Sequence, residues 1–217
     1  DAGTLNTATS NAVTSTFVGG TGVWTASGAI ADVNTLLAGV TFTPALNFNS
    51  NFTIATSVSD GVAAAVTGSK AMTGTAVNDE PVANAQTATA IEDVETSITL
   101  TGADGDADAT QNLTFILTTL PSTGSLSQTS GGTAIAAGDL PLSLTNAELF
   151  FQTASNDVSQ QTFDFKVMDD GGTDNSGDNE SPTATVTVNI TAVNDEPVAN
   201  AQTATAIEDV ETSITLT

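Results

Sequence analysis

Acidic side chains gather in a few short turns of this sequence, and their carboxylates are its most obvious chemical groups. One turn, Asp104-Gly105-Asp106-Ala107-Asp108, carries a carboxylate at every second position. Other turns hold adjacent acids, at Asp79-Glu80, Glu92-Asp93 and Asp169-Asp170. Like charges this close repel one another, so each turn must stay hydrated or recruit cations. Hard oxygen ligands on flexible turns suit calcium, which takes about six to eight of them.

The alternating turn is not an EF-hand, although such a loop also begins with carboxylates at alternate positions. Counting from Asp104, the position that needs a bidentate Glu is occupied by Phe115. The flanking sequence also has the pattern of strands instead of helices. A purely solvated acidic turn, which keeps the protein soluble, therefore remains an alternative to a calcium ligand.

The composition removes several functional classes. The chain has 217 residues, 25 acids and two basic residues, so its formal charge is −23. Binding to nucleic acids or anionic membranes needs cationic surface, which two lysines do not supply. His and Cys are absent, so zinc sites built on those ligands and Ser-His-Asp catalysis are excluded. The apolar runs are too short to cross a bilayer, so no membrane insertion is expected.

A long exact repeat defines the domain organisation. Residues 75–101 and 191–217 have the same sequence, and 116 residues separate Val77 from Val193. This period is the length of a domain. We therefore predict the later part of a diverged repeat over 1–76, a complete repeat over 77–192, and the opening strands of another over 193–217.

The local pattern within these repeats is typical of β-structure. Residues 183–191 alternate polar and apolar side chains, and Gly-rich turns separate the apolar runs. A hairpin is predicted around Gly19-Gly20-Thr21-Gly22. Single helical turns are predicted at 33–37 and 145–149, the second with a weak capping-box pattern. Short strands at this spacing indicate an all-β fold of tandem antiparallel Greek-key β-sandwiches.

Several motifs together resemble the cadherin-like repeat of large secreted bacterial adhesins of the RTX type. They are Val77-Asn-Asp-Glu-Pro-Val, Ile91-Glu-Asp, the alternating acidic turn and Met168-Asp-Asp-Gly-Gly. The resemblance implies cadherin- or immunoglobulin-like sandwiches and an extracellular place on the bacterial cell surface, as in biofilms. It also implies calcium at the junctions between successive repeats, where the ions stiffen the rod.

The resemblance assigns the acidic and amide residues to two junctions. One junction would use Asn78, Asp79, Asp104, Asp106, Asp108 and Asp170. The other would use Glu92 and Asp93 with Asn194 and Asp195 of the next linker. The expected function is thus a calcium-stiffened extender whose partners are neighbouring repeats of the same polypeptide.

Two other functions are considered. A carbohydrate-binding module would bind polysaccharide through Trp24, the single Trp, although a lone Trp in a sandwich more often fills the core. A glycosidase would use paired carboxylates, but these acids lie in hydrophilic turns and no catalytic pair is evident. We therefore expect no enzymatic activity.

The incomplete end repeats suggest one further hypothesis. Residues 193–217 of one chain could complete residues 1–76 of another, and such a head-to-tail contact would propagate into a fibre.

Overall fold

The protein has an all-β fold in which many short strands accompany one α-helix. The structure is a computed structural model that describes residues 2–107 and 109–216. Asp108, one of the predicted calcium ligands, lies outside the described residues. Within the described ranges no helix is long and apolar enough to cross a membrane.

Residues 2–72 form paired short strands around a nine-residue helix. The helix is α1, Ile30–Ala38. The strands are β1 Gly3–Leu5, β2 Thr9–Ser10, β3 Val13–Thr14, β4 Thr16–Val18, β5 Val23–Thr25, β6 Phe42–Pro44, β7 Phe52–Val58 and β8 Val66–Met72. They pair antiparallel as β1–β6, β2–β3, β4–β5 and β7–β8.

The central repeat carries the larger sheets. Its strands are β9 Val82–Ala83, β10 Gln86–Ile91, β11 Thr96–Thr99, β12 Gly102–Ala103, β13 Thr114–Leu117, β14 Ser125–Ser127, β15 Leu142–Ser143, β16 Glu148–Gln152, β17 Gln161–Met168 and β18 Ala184–Thr191. One sheet has the strand order β10–β18–β17–β13–β15, and a second has the order β11–β16–β14. A short pair joins β9 to β12.

Both sheets of the central repeat bury side chains in one apolar cluster. The five-stranded sheet contributes Leu117, Phe163, Phe165, Val167, Val186 and Val188, and the three-stranded sheet contributes Ile98, Leu126, Leu149 and Phe151. The alternation along β17 and β18 explains this arrangement, because every second side chain of a strand points to the same face. Along the chain, β10 to β17 alternate between the two sheets, with β12 in the short pair.

Antiparallel pairing is confirmed for the strand pairs of the described chain, with one departure. Strand β10 runs parallel to β18, with Gln86 opposite Val186 and Ile91 opposite Thr191. A parallel pair cannot be joined by a tight hairpin. Here almost the whole repeat connects the two strands, so its opening and closing strands lie side by side.

The local predictions had mixed outcomes. The Gly-rich hairpin is confirmed as β4–β5. The helical turn at 33–37 is part of the longer helix α1, in which Leu36 is buried. The helical turn at 145–149 is wrong, because Glu148 begins strand β16. Its apparent capping box is instead a turn in which the Glu148 amide donates to Asn146 Oδ1.

The end regions bury far less apolar surface than the central repeat. Among the large apolar residues described before residue 77, only Val13 and Leu36 are buried. Residues 192–216 contain no strand, and their apolar side chains are exposed. The stability of this chain therefore comes mainly from the central repeat.

Truncating a central core side chain should unfold this repeat more easily. Phe165 is fully buried and its ring lies 6.1 Å from that of Phe115. We expect Phe165→Ala to lower the free energy of unfolding by about 3–5 kcal/mol, measured by urea denaturation. The control Val158→Ala removes an exposed side chain and should change it by less than about 0.5 kcal/mol. Equal effects of the two variants would contradict the assigned core.

Candidate metal centre

Three segments meet at the end of the central repeat where the linker enters. Strand β17 ends there and is followed by Asp169 and Asp170, and β12 is followed by Asp104. The linker with Asn78 leads into β9, which pairs with β12. Gly102 permits this close approach, since a Cβ there would lie 2.8 Å from both Val167 Cγ2 and the Val82 carbonyl oxygen.

Gln111 connects the linker to the acidic turn. Its backbone amide donates to Asp104 Oδ2 at 2.9 Å. Its side-chain amide donates to Asp106 Oδ2 at 3.0 Å and to Asn78 Oδ1 at 2.5 Å. Asn78, Asp104 and Asp106, which the sequence predicts at one junction, thus lie together around a residue that it did not identify.

Asp169 is the second residue that sequence reasoning missed, although it belongs to the quoted Met168-Asp-Asp-Gly-Gly motif. It is 4% exposed, and its Oδ1 accepts hydrogen bonds from Asn78 Nδ2 at 2.9 Å and the Gly171 amide at 3.0 Å. Asn78 Nδ2 also donates to the Asp178 carbonyl oxygen at 2.7 Å. A side chain at Gly171 would displace Asn78, because a Cβ at this position would lie 2.0 Å from Asn78 Oδ1.

Asp170, the calcium ligand predicted from this turn, is hydrogen-bonded to Asn112. Asn112 donates to both of its carboxylate oxygens, from its side chain at 2.7 Å and from its backbone at 2.9 Å. These two hydrogen bonds lower the pKa of Asp170 from its ordinary value, with the Asn112 side chain the larger cause. Asp170 therefore favours the fold in its ionised form, and this contribution is lost in acid as the pH falls through its lowered pKa.

Three buried oxygens in this cluster receive no hydrogen bond from the described residues. They are Asp104 Oδ1, Gln111 Oε1 and Asp169 Oδ2. Buried polar atoms are nearly always partnered, and a buried carboxylate oxygen is costly without compensation. The cluster is therefore rich in oxygen acceptors and short of donors or cations.

The carboxylates themselves do not converge on one point. In residues 2–107 and 109–216, no group of three or more acidic side chains is arranged to hold a metal ion. The oxygens that come together here belong to both amides and carboxylates. Of the chain's two lysines, Lys166 is paired with Glu180 at 2.5 Å. We refer to Asn78, Asp104, Asp106, Gln111 and Asp169 as the linker cluster.

Asp79 lies beside the linker cluster in sequence but faces a different neighbour. It is half-buried and lines a small cavity with residues 44–49 of the preceding region and 75–77 of the linker. The described contacts therefore place Asp79 against the first region and Asn78 against the central repeat.

The other predicted junction lies at the opposite end of β18. Glu92 is 4% exposed, its amide donates to the Thr191 carbonyl oxygen at 2.9 Å, and its Oε2 accepts from the Val193 amide at 3.1 Å. Asp93 occupies a left-handed turn position with a φ of 60°, and its amide donates to Thr153 Oγ1. Asn194 and Asp195 are exposed, with Asn194 Nδ2 donating to the Asp195 carbonyl oxygen. The structure thus brings Glu92 to the outgoing linker but leaves the two linker residues facing solvent.

Trp24 lies outside both ends of the central repeat. It is half-buried on β5, and its indole N–H donates to the Asn6 carbonyl oxygen at 3.0 Å. Its ring lines a wide groove in the first region. Because its side chain is half-buried, Trp24 is neither a fully buried core residue nor a fully exposed one.

Comparison with known proteins adds little to this geometry. No model of a known protein family matches the chain, and no curated protein sequence matches it. Among solved structures, the chain is similar to an endo-fucoidan hydrolase from glycoside hydrolase family 107, with 18% identity and a TM-score of 0.34. The match covers 89% of this chain but 24% of the hydrolase, so this chain spans about a quarter of that protein. A similarity this weak carries no argument about fold or activity.

The conformation of the acidic turn at residues 104–108 should depend on Gly105. Gly105 has a φ of +86°, and a Cβ there would lie 2.2 Å from the Glu80 carbonyl oxygen. We expect Gly105→Ala to cost about 1–3 kcal/mol of stability through backbone strain and this clash. The matched control is Gly138→Ala, where no atom lies within 4 Å of the new Cβ. Urea denaturation measures both, and a Gly105→Ala loss no larger than the control's would contradict the close approach of linker and turn.

The outgoing linker should be held by Glu92. Removing its carboxylate in Glu92→Ala should free the Val193 amide, so we expect that amide to exchange with deuterium at least tenfold faster, measured by NMR. The control Glu95→Ala removes a carboxylate that binds Ser130 and Gly131 instead, and should leave Val193 unchanged. Unaltered protection of Val193 in Glu92→Ala would refute this contact.

Proposed function

We propose that this chain is an extender segment of a bacterial cell-surface adhesin, in which calcium at the repeat junctions stiffens a rod of β-sandwiches. The two-sheet central repeat with a single core is consistent with an immunoglobulin- or cadherin-like Greek-key sandwich. The exact repetition of residues 75–101 at 191–217 means that successive junctions share the same linker sequence. A uniform linker is what an extended array of equal units needs.

The observation that carries this proposal is the linker cluster, with its three buried oxygens that no described donor reaches. All five of its side chains bear oxygen, the ligand atom that calcium prefers. Three of them are carboxylates, Asp104 and Asp106 from one turn and Asp169 from another, and Asn78 comes from the linker itself. A cation bound here would therefore tie the linker to the central repeat.

Side-chain amide groups donate hydrogen bonds to some of the carboxylate oxygens that a cation would contact. Asn78 Nδ2 donates to Asp169, and Gln111 Nε2 donates to Asp106. These amide donors are uncharged, so they add no positive charge to the linker cluster. Calcium would supply full positive charge, and Asn78, Asp104, Asp106, Gln111 and Asp169 would hold it. Asp79 and Asp170 are the nearest further carboxylates on the linker and the β17 turn.

The second junction would be built in the same way around Glu92. This carboxylate already binds the outgoing linker through the Val193 amide. Asn194 and Asp195 repeat Asn78 and Asp79, and the acids Glu208 and Asp209 repeat Glu92 and Asp93. Calcium would recruit Asn194 and Asp195 when a complete following repeat supplies its own turns. The neighbouring repeats are thus the principal partners in this proposal, and no catalytic role is assigned.

A second candidate function is polysaccharide binding by the first region. Its support is the position of Trp24 in the wall of a groove, since sugar rings stack on aromatic side chains. A polysaccharide bound there should quench or shift the fluorescence of this single Trp. No response to a panel of acidic and neutral polysaccharides would remove this candidate.

Calcium should raise the melting temperature of the chain. At a free concentration 100-fold above its dissociation constant, a ligand of the folded state stabilises it by about 2.7 kcal/mol. For a domain of the size of the central repeat, this stabilisation corresponds to a rise in melting temperature of about 10 °C. We expect this rise on passing from EDTA to millimolar calcium, and a much smaller one with magnesium, measured by differential scanning calorimetry.

Charge-neutralising variants locate the site. Asp104→Asn and Asp169→Asn should each lose most of the calcium-dependent rise. The matched control Asp139→Asn makes the same charge change in a turn of the same repeat, where the Asp139 carboxylate accepts from the Ala136 amide, and it should retain the full response. An identical response to magnesium, or a calcium response that survives Asp104→Asn, would refute calcium binding at the linker cluster.

A further inference from the structure

Tension applied to the two linkers would act along the strands of the central repeat. The incoming linker meets the repeat at Asn78, whose side chain donates to Asp169 at 2.9 Å. The outgoing linker leaves at Val193, whose amide donates to Glu92 at 3.1 Å. Strand β18 runs between these two ends, and its eight residues span roughly 25 Å. A pull on both linkers is therefore directed along β18 and its neighbours, and not across them.

Strands β10 and β18 receive this pull in opposite directions. In chain order, β10 is the first strand of the five-stranded sheet and β18 is the last. They are adjacent and parallel over six residue pairs, from Gln86 with Val186 to Ile91 with Thr191. The incoming linker pulls on the start of β10 and the outgoing linker on the end of β18, so the pair is loaded in shear. The hydrogen bonds of a parallel pair are evenly spaced, and in shear they carry the load together.

The parallel direction decides how these hydrogen bonds break. If the first and last strands were antiparallel, the start of one and the end of the other would lie at the same end of the ladder. A pull there would open one hydrogen bond after another, and each bond would meet the whole load alone. A single hydrogen bond of a protein adds little net stability in water. The resistance of the β10–β18 ladder therefore comes from the simultaneous loading of its bonds.

The backbone amides of β10 that face β18 can be assigned. The Glu92 amide, directly after β10, donates to the Thr191 carbonyl oxygen at 2.9 Å. Successive N–H groups of a strand point to opposite edges, just as successive side chains point to opposite faces. The amides of Ala88 and Ala90 therefore also face β18. The amide of Thr89 faces the other edge of β10, where the described residues provide no neighbouring strand.

Strand β10 is held less firmly than β18, so the load concentrates on the pair that they form. β18 lies between β10 and β17, and five antiparallel residue pairs join it to β17. Among the described residues, β10 has β18 as its one neighbour in the sheet. Ala90 of β10 is fully buried in the core cluster that also contains Val186 and Val188. Release of β10 would therefore break the ladder and open the core in one event.

The contacts ahead of β10 are less extensive than this ladder. Two residue pairs join β9 to β12. Asn78 is held by side-chain hydrogen bonds to Asp169 and to the Asp178 carbonyl oxygen. The load reaches β10 once these few contacts yield. A cation in the linker cluster would strengthen them, whereas strands β10 and β18 contain none of the proposed calcium ligands and resist without calcium.

We propose that the central repeat is a tension-bearing unit and that the β10–β18 pair is its mechanical clamp. This inference rests on the extender function proposed above, because a segment carries tension only within a chain that is attached at both ends. The clamp keeps the repeat folded while the array is pulled, so the array keeps its length until this ladder shears. Resistance to force then depends on the direction of the pull, and a pull applied elsewhere on the same folded repeat meets less resistance.

The test compares two directions of pulling on the full chain, by optical tweezers in EDTA. The chain has no Cys, so introduced pairs of cysteines define where the handles are attached. Ala85→Cys with Ala192→Cys loads the β10–β18 pair in shear. Ala85→Cys with Thr183→Cys pulls on neighbouring ends of the two strands and opens the ladder from one end. Forced unfolding reports the unfolding rate, and we expect the unfolding force to be at least about twofold higher in shear. Equal forces in the two directions would overturn the proposal.

Two controls accompany this comparison. The three attachment positions are exposed, so both double variants should keep the parent's midpoint of urea denaturation. In shear, the 107 residues between the attachment points should unfold in one step that lengthens the chain by roughly 350 Å. A peak force from a much shorter step would show that another element resists the pull, which would also overturn the proposal. EDTA separates this result from calcium binding, which the calorimetric test addresses independently.

Proline variants locate the clamp when the chain is pulled in shear. Ala88→Pro removes an amide that faces β18, and it should lower the unfolding force by about a third. Thr89→Pro is the matched control, because the amide that it removes faces the edge without a neighbouring strand, and its unfolding force should equal the parent's. Equal forces in the two variants would contradict the assigned clamp. If Ala88→Pro does not fold, the comparison of the two pulling directions still decides the question.

Discussion

The parallel pairing of β10 with β18 is the constraint on which the rest of the central repeat depends. It joins the opening strand of the repeat to its closing strand over six residue pairs. The two strands point the same way, so the incoming and outgoing linkers leave from opposite ends. The chain therefore enters the central repeat at one end and leaves it at the other, as the proposed array requires. The linker cluster and Glu92 stand at the two ends because of this one pairing.

The ends of the central repeat are electrostatically less favourable than its core, because acidic side chains are buried there. The core cluster of the central repeat is built from apolar side chains, whereas the acids of the described residues are half-buried or exposed, except Glu92 and Asp169. At the linker cluster, the turns fold over their own carboxyl groups, so the Asp169 side chain is buried, which carries a desolvation cost. Hydrogen bonds to Asp169 from Asn78 and the Gly171 amide compensate for part of that cost. The remaining buried oxygens are the reason why a hard cation is the ligand that we propose.

The duplicated sequence shows how little of its structure is local. Residues 86–91 form a strand, while the identical residues 202–207 do not. The turn at 91–94 is kept in both copies: Val94 and Val210 each donate to the carbonyl oxygen three residues earlier, and Asp93 and Asp209 share a φ of 60°. A turn closes its own hydrogen bond, whereas a strand needs a neighbour to complete its ladder. The difference between the copies is therefore the presence of β16 and β18, which supply that neighbour.

The sequence was sufficient to predict the all-β class, the Gly-rich hairpin, the repeat period and the sign of the charge. These features depend on side-chain alternation, on turn residues and on composition, which are local or additive. It also indicated that Asn78, Asp104 and Asp106 belong together, although through a resemblance and not through spacing. The tertiary structure was needed to show that Gln111 connects them, that Asp169 is buried and that β10 runs parallel to β18. It also placed residues 145–149 in a turn and strand, because β16 completes a sheet there. Those outcomes depend on contacts between residues far apart in the chain. No local sequence pattern specifies which distant strand or hydrogen-bond donor lies nearby in the folded protein.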